Sequence, residues 1–406
     1  VGPKAVSAST IYVPADQPTI QSAITVAVNG DVVLVSPGTY LENIDFKGKA
    51  IVIRSTGGPK VTIIDGSQKG TVVSFISGES LTSQLDGFTL QNGMKSSAVF
   101  FDGGGIAIGN SSATITGNII QNNAACGSGG GIAVYHGSPS IRNNVIRDNS
   151  QESSCFGGNG GAGISIVGSS GGLSGDIVGN VIASNVWRTG DGGGISVNGS
   201  GTLLIQNNTI AGNTAAGPGI GGGISVGNTS SPLIIQNLIY NNTANQGGGI
   251  YLLVPEGNTP LLVNNTIVNN NSIQLLGSAI YVSGFDSQSL LFNNLLIGEP
   301  GQNAVFCDPS FSAQPPTFTT NDAFSRNSTG LQGACASQSG QNGNISIDPM
   351  FAGDGSFRVT SGSLAIDAGT NSAPNLPKKD LAGKPRIVDG DDDGDQIVDM
   401  GAYEFH

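Results

Sequence analysis

Apolar residues in the middle of this chain come in short alternating runs and never in long ones. In one stretch Ile132 and Val134 alternate with small residues, Ile141 follows in a polar setting, and Val145 and Ile146 come after an Asn pair. Runs this brief, bounded by Gly, Ser and Asn, predict three short strands per unit. Helix is disfavoured by the density of Gly, Asn and β-branched residues. The unit then recurs. A small-residue triplet ending in Ile stands at Gly103-Gly104-Gly105-Ile106 and again at Ile132, Ile164, Ile195, Ile224 and Ile250, with a looser copy at Gly277-Ser278-Ala279-Ile280. Successive copies lie 26 to 32 residues apart, and each travels with an Asn-rich element such as Asn118 to Asn123 or Asn144 to Asn149. A period that stretches but is never lost predicts a solenoid with one supersecondary unit per repeat. Stacking at roughly 4.8 Å, the parallel-strand spacing, would gather the Ile residues into one internal column. The Asn residues would supply left-handed turns and amide ladders along the axis.

Composition narrows the setting. The chain has 406 residues, 64 of them Gly, without the Gly-X-Y period of collagen. Only 11% of residues are charged and the net charge is -12, with most Lys and Arg outside the central repeats. Phosphate recognition needs clustered basic residues, so nucleic acid is disfavoured as a partner. No apolar run approaches the roughly 20 residues of a membrane helix. Cys126 and Cys155 each shortly precede a triplet, and Cys307 and Cys335 are 28 residues apart, about one unit. Coil stacking would bring each pair within disulfide reach. Two disulfides predict an oxidising environment, hence a secreted or cell-surface protein.

The coil pattern resembles the right-handed parallel β-helix repeat proteins of the pectate-lyase-like superfamily. That group includes pectin and alginate lyases, polygalacturonase-like hydrolases and bacterial surface proteins. The opening is similar too, in Thr19-Ile20-Gln21-Ser22-Ala23-Ile24, Gly30-Asp31-Val32-Val33, Pro37-Gly38-Thr39-Tyr40 and Val61-Thr62-Ile63-Ile64-Asp65-Gly66. So is the end, from Ala365-Ile366-Asp367-Ala368-Gly369 to Gly401-Ala402-Tyr403-Glu404-Phe405, which resembles the closing segment of surface-anchored β-helix proteins. The resemblance implies an all-β, single-stranded right-handed parallel β-helix with an N-terminal helical cap in residues 1–30. Coils would fill 31–300, with the last coils and a C-terminal capping segment in 301–406. It does not fix an activity, because one scaffold of this kind hosts many.

Candidate chemistry sits in several places. Asp389, Asp391, Asp393 and Asp395 alternate around Gly390 and Gly394, with Asp399 further on. Such a loop can wrap oxygens about one Ca2+, although Met400 stands where an EF-hand needs its bidentate acid. A structural Ca2+ pinning the C-terminal segment is the expectation. The two widest intervals insert Ser150 to Phe156 and Val186 to Asp191, and Phe100-Phe101-Asp102 precedes the first triplet at a matching place. This predicts one edge bearing Trp187, Phe156 and Phe101 as sugar platforms, with Arg188 beside them. Asp102, Asp191 and Glu152 would be the acid and base of glycoside hydrolysis on an extended polysaccharide. Polysaccharide lyase or uronate epimerase chemistry is the alternative, carried by Tyr135, His136 and Arg142. A non-catalytic glycan-binding adhesin or surface module is the rival from another class. Tyr251 and Tyr281 are expected to form an exposed stack on adjacent coils.

Overall fold

The computed structural model describes residues 8–96, 103–155, 158, 160–168, 172–227, 229–253, 257–284, 288–310 and 315–406. The chain winds as a parallel β-helix, each coil giving one strand or more to each of three long sheets. Sheet A has 12 strands, from Thr10–Val13 to Thr317–Thr319, and sheet C has 11, from Ile44–Asp45 to Leu331–Gly333. Sheet B, with 17, lies between them along each coil. In the described sheets only the two-stranded ribbon Ile387–Val388 with Ile397–Val398 is antiparallel.

The triplet Ile residues form the predicted column on sheet C. Ile106, Ile132, Ile164, Ile195, Ile224, Ile250 and Ile280 are register partners in turn, and all are fully buried. Sheet A adds Ile115, Ile141, Ile177, Ile205 and Ile234, and sheet B adds Ile120, Ile146, Ile182, Ile210 and Ile239. The core is thus three aliphatic columns, each side chain packed on its own kind one coil away.

The Asn residues divide their work in a way composition alone does not show. At the corner between sheets A and B, Asn118, Asn144, Asn180, Asn208, Asn237, Asn265, Asn294, Asn321 and Asn344 form one ladder. Each backbone N–H and side-chain amide donates to the next Oδ1, as in Asn208 N to Asn237 Oδ1 at 2.9 Å and Asn208 Nδ2 to the same oxygen at 3.0 Å. A second ladder runs Asn123, Asn149, Asn185, Asn213, Asn242 and Asn270. The left-handed turn falls on the residue before each ladder Asn: Asn122, Asn143, Asn207 and Asn241 hold φ of 54° to 57°, and Gly117, Asp148 and Ser184 serve elsewhere. Hence the Asn-Asn pairs: the first turns the backbone, the second satisfies buried polar groups that would otherwise be orphaned.

The triplet glycines are set by a similar constraint. The loop from sheet B to sheet C doubles back over the start of the sheet C strand. At Gly221, with φ 68°, a Cβ would come within 2.4 Å of the Ile224 carbonyl oxygen. Gly161, Gly192 and Gly247 repeat that contact. Each doubled-back loop roofs the outer face of sheet C, which is why Ser165, Ser196 and Ser225 point outward yet are buried.

Cys126–Cys155 and Cys307–Cys335 each join consecutive coils, with Cα separations of 5.3 and 5.7 Å. Near the start, the helix Ile20–Val26 buries Ile20, Ala23 and Ile24, and its first turn donates Ile20 N and Gln21 N to Glu42. At the other end the chain leaves the coils and folds back along their flank, reaching as far as Gln236. It therefore straps the solenoid from the side. Outward positions on the later strands turn apolar beneath it: Leu233, Leu261 and Leu290 on sheet A, Val268, Leu295 and Ile297 on sheet B. Ala373 and Leu376 cover the first group, Ala365 and Met400 the second.

Candidate functional site

The doubling-back of the loops begins at Gly103, and the strand before it, Val73–Phe75, is entered by Gly70-Thr71 instead. Its outward Ser74 stays partly exposed beside Ala107, its register partner on the next strand. A cleft of about 370 Å3 opens there, lined by Asn43, Gly70, Thr71, Ser74, Ile76, Lys95, Ala107, Gly109 and Asn110. Two neighbours adjoin it. One of about 280 Å3 shares Gly70 and Lys95 and adds Gln68, Lys69, Met94 and Ser96. The other, about 220 Å3, shares Asn110 and adds Glu79, Ser111, Ser112, His136, Gly137, Ser138, Gly172 and Leu173. Together they make one groove across sheet C, with lysines at one end and hydroxyl, amide and imidazole groups at the other.

His136 follows Tyr135 as Asn110 follows Gly109, and both hold a left-handed backbone, at φ 53° and 48°. The Tyr135 and His136 rings stack at 3.7 Å. Arg142 is engaged elsewhere, pairing with Asp176 at 2.8 Å on sheet A and donating to Ser140. Glu79 is held by Gly48 N, Ser77 N and the Ser111 hydroxyl, which fixes that wall.

The edge expected around Trp187 is not assembled as the sequence suggests. Phe101, Asp102 and Phe156 lie outside the described residues. Trp187 is fully buried, because strand Val186–Trp187 alternates and puts Val186 outside and the indole inside. It fills the inward position that Ala215 holds on the next coil. Gly158 and Gly190 close over the ring, so it offers no sugar platform. Arg188 is exposed, its N–H given to Gln151. Glu152 is wrapped by its own loop: the Ser154 hydroxyl and N–H donate to it and, with Ser153, hold its carboxyl below the usual range. The nearby Cys126 and Cys155 are disulfide-bonded, so that group offers no thiolate to a metal.

Asp191 has other company. Its Oδ1 accepts Ile220 N at 3.3 Å, and burial pushes its carboxyl upward. Its field and that of Asp308 both reach the Tyr251 phenol. Tyr251 and Tyr281 do point outward and stack at 5.3 Å with rings 5° from parallel, but they are 7% and 3% exposed, contrary to the expected open stack. The Tyr281 hydroxyl donates to Asp308 Oδ2 at 2.9 Å. Burial acts to raise Asp308, yet the Ser310 N–H and hydroxyl and the Tyr281 hydroxyl outweigh it and hold the carboxyl low. Asp191 and Asp308 lie four coils apart along sheet C, roughly 19 Å at the parallel spacing, too far to work as one acid and base pair. Sequence reading missed Asp308; its one signal is its place just past Cys307 and the strand that ends there.

The acidic loop folds around a different set of ligands from the one its spacing suggests. Asp367, Asp389 and Asp391 each offer a carboxylate oxygen within 4.8 Å of the others. Asp367 Oδ2 accepts Gly390 N and Asp391 N, while its Oδ1 is buried with no hydrogen-bond partner. Three carboxylates and an orphaned buried oxygen suit a hard cation. Asp393 and Asp395 fall outside this group; Asp393 accepts Asp395 N. Asp399 is buried and already committed, accepting Asp367 N at 2.8 Å and Phe405 N at 2.6 Å, so it fastens the segment instead of facing an ion.

Comparison with known proteins bears on the fold. A pectate lyase structure, Pel9A, aligns over 99% of this chain and 98% of its own at 15% identity, with a TM-score of 0.56. The complex of XylC with xylose aligns over 95% of both chains at 11% identity, with a TM-score of 0.54. At such identity the likeness is one of fold. No curated relative matches the sequence. The model described as the right-handed β-helix region matches residues 47–220, 104–296 and 156–348, overlapping spans that together cover most of the chain, and the protein belongs to that family.

Proposed function

We propose that this is a secreted or cell-surface carbohydrate-active protein that binds an extended polysaccharide in the groove across sheet C. The observation that carries the reading is the continuity of three clefts through Gly70, Lys95 and Asn110. A groove floored by small side chains and lined by amides and hydroxyls suits a chain of sugars better than a compact ligand. Two disulfides accord with an extracytoplasmic setting. Helix Ile20–Val26 is taken as the plug of the N-terminal end.

Binding to a panel of neutral and acidic polysaccharides tests this. Ser74→Trp fills the floor from an outward position and is expected to abolish binding to any glycan that binds the wild type. Lys69→Gln with Lys95→Gln is expected to weaken acidic glycans about tenfold, or ~1.4 kcal/mol, and to spare neutral ones. Unchanged binding in Ser74→Trp would sink the proposal.

Glycoside hydrolysis is the chemistry proposed for a glycan running on from this groove, with Asp191, whose carboxyl is raised by burial, as its acid. Asp308 lies four coils further on, roughly 19 Å, too far to be its partner. Asp191 precedes a strand three coils beyond Ala107, roughly 14 Å at the parallel spacing. Reducing-end release that is lost in Asp191→Asn while binding persists supports it. Binding without release in the wild type would favour the adhesin reading.

Ca2+ at Asp367, Asp389 and Asp391 is proposed as a structural staple of the strap. Chelation is expected to lower the melting temperature, and Ca2+ at a hundredfold over its Kd to restore about 2.7 kcal/mol. Asp389→Asn should abolish that difference; a Ca2+ response that survives it would point elsewhere.

A further inference from the structure

The C-terminal strap holds a second cleft, away from sheet C. It measures about 230 Å3 and is lined by Ala352, Arg358, Val359, Lys384, Tyr403, Glu404, Phe405 and His406. The chain has 16 Lys and Arg, two His and a net charge of -12, so three basic groups facing one small space stand out. Five of the other six arginines, Arg54, Arg142, Arg147, Arg326 and Arg386, are ion-paired with carboxylates. Among the described residues Arg358, Lys384 and His406 form no ion pair.

The acidic side chains nearby are otherwise engaged. Glu404 is committed to Arg386 at 2.6 Å and to Asp399 N. Asp380 takes Lys384 N and Glu404 N on its two oxygens. Asp354, which the Arg358 charge also reaches, is fully exposed and accepts Ser356 N. The Arg358 guanidinium lies over the Tyr403 ring, 4.4 Å from its centroid. A stacked guanidinium is held flat with its N–H edge available, and a planar N–H fork matches a carboxylate, sulfate or phosphate. Val359 and Phe405 give the same cleft an apolar wall.

We propose that this cleft is a binding site for an oxyanion, with the Arg358 fork as its main contact, Lys384 and His406 completing the charge, and Val359 and Phe405 packing on the carrier. An oxyanion on a carrier with a C–H face, such as a uronate or a sulfated sugar, uses both halves of the cleft. Free inorganic anions use only the charged half.

His136 and His406 are the two imidazoles of the chain, so proton NMR of the intact protein reads the site directly. His406→Asn assigns the signals. Titration with glucuronate is expected to move the His406 resonance saturably and shift its titration to higher pH, while any movement of His136 reads the separate sheet C groove that it lines. Arg358→Gln should weaken the response at least tenfold, and Arg358→Lys, which keeps charge but loses the fork, should recover only part. Lys384→Gln is the second variant if Arg358→Gln fails to fold. A response to sulfate or phosphate without one to glucuronate keeps the oxyanion site and assigns it to free anions. An equal response to sodium chloride at matched ionic strength, or to glucose, overturns the proposal, as does full affinity in both Gln variants.

Discussion

Replacing Arg386 by Met is expected to destabilise the protein by about 3–5 kcal/mol, the cost typical of removing one partner from a buried ion pair. Arg386 is fully buried, and its guanidinium is the knot of the strap. Nη1 donates to Glu404 at 2.6 Å and to the Gly401 carbonyl; Nη2 donates to Gln236 at 2.7 Å and to the Ala402 carbonyl. Gln236 belongs to the coils, so one side chain ties strap to solenoid while holding the strap's own turn. Met matches the stem but leaves these acceptors without a donor. Burial already pushes Glu404 up to about 8 against the pull of Arg386, so the lone carboxyl would take up a proton and limit the loss. Replacing Glu404 by Leu as well should recover part of the stability, as hydrophobic replacement of a whole buried pair often does. Denaturant melts of both variants measure this, and limited proteolysis should cut residues 350–406 first. A loss under about 1 kcal/mol for Arg386→Met would show that apolar cover alone, over Leu295, Val268 and Leu261, holds the strap.

The strap was the least legible part of the fold, and the coils the most. A repeat announces itself because every coil must solve the same problem: an inward Ile, a left-handed corner, a buried amide to satisfy the next coil. Those requirements fall on residue types at fixed offsets, and Ile106 to Ile280 could be aligned by eye. The strap solves its problem once. Its contacts, such as Asn264 Nδ2 with Gly401 O and Ala402 N with Thr266, join residues more than a hundred positions apart and leave no period. One signal was present: outward positions that are Thr114, Ser140 and Asp176 on early sheet A strands become Leu204, Leu233 and Leu261 later, which calls for a cover.

The site was harder to read for a related reason. Trp187 is the one tryptophan and stands beside an insertion, but a two-residue strand has an inside and an outside, and one position decides which. Alignment with Ala125 and Ala215 would have put it inside. The carboxylates that the fold gathers differ from the expected set because sequence spacing sees Asp389 to Asp395 and not Asp367, which the fold brings alongside. The sheet C groove has no motif at all; it starts on the coil just before the roofing glycines begin.

Asp322 supplies the last expectation, and it turns on pH. Its position matches Leu295 on the coil before, where a side chain faces the strap. Oδ1 accepts Ile347 N at 3.1 Å, Oδ2 is buried with no partner, and burial raises the carboxyl from its ordinary 3.8 to about 7. The folded state therefore holds a proton that the unfolded chain releases near pH 4. The stability linked to that proton is fully present below pH 4 and is lost as pH rises through about 7. A shift of roughly 3 units corresponds to about 4 kcal/mol at most. Asn keeps the acceptor for Ile347 N and cannot ionise, but its amide needs an acceptor that the pocket lacks, at a cost of about 1 kcal/mol. Asp322→Asn should thus be no more stable than wild type at pH 4 and clearly more stable at pH 8. Comparing denaturant midpoints of the two proteins across that range cancels the titrating groups that do not feel Asp322 and leaves Asp348, whose charge reaches it. A difference that stays constant with pH would mean that Asp322 is ionised in the fold, and that its Oδ2 has found water or a cation.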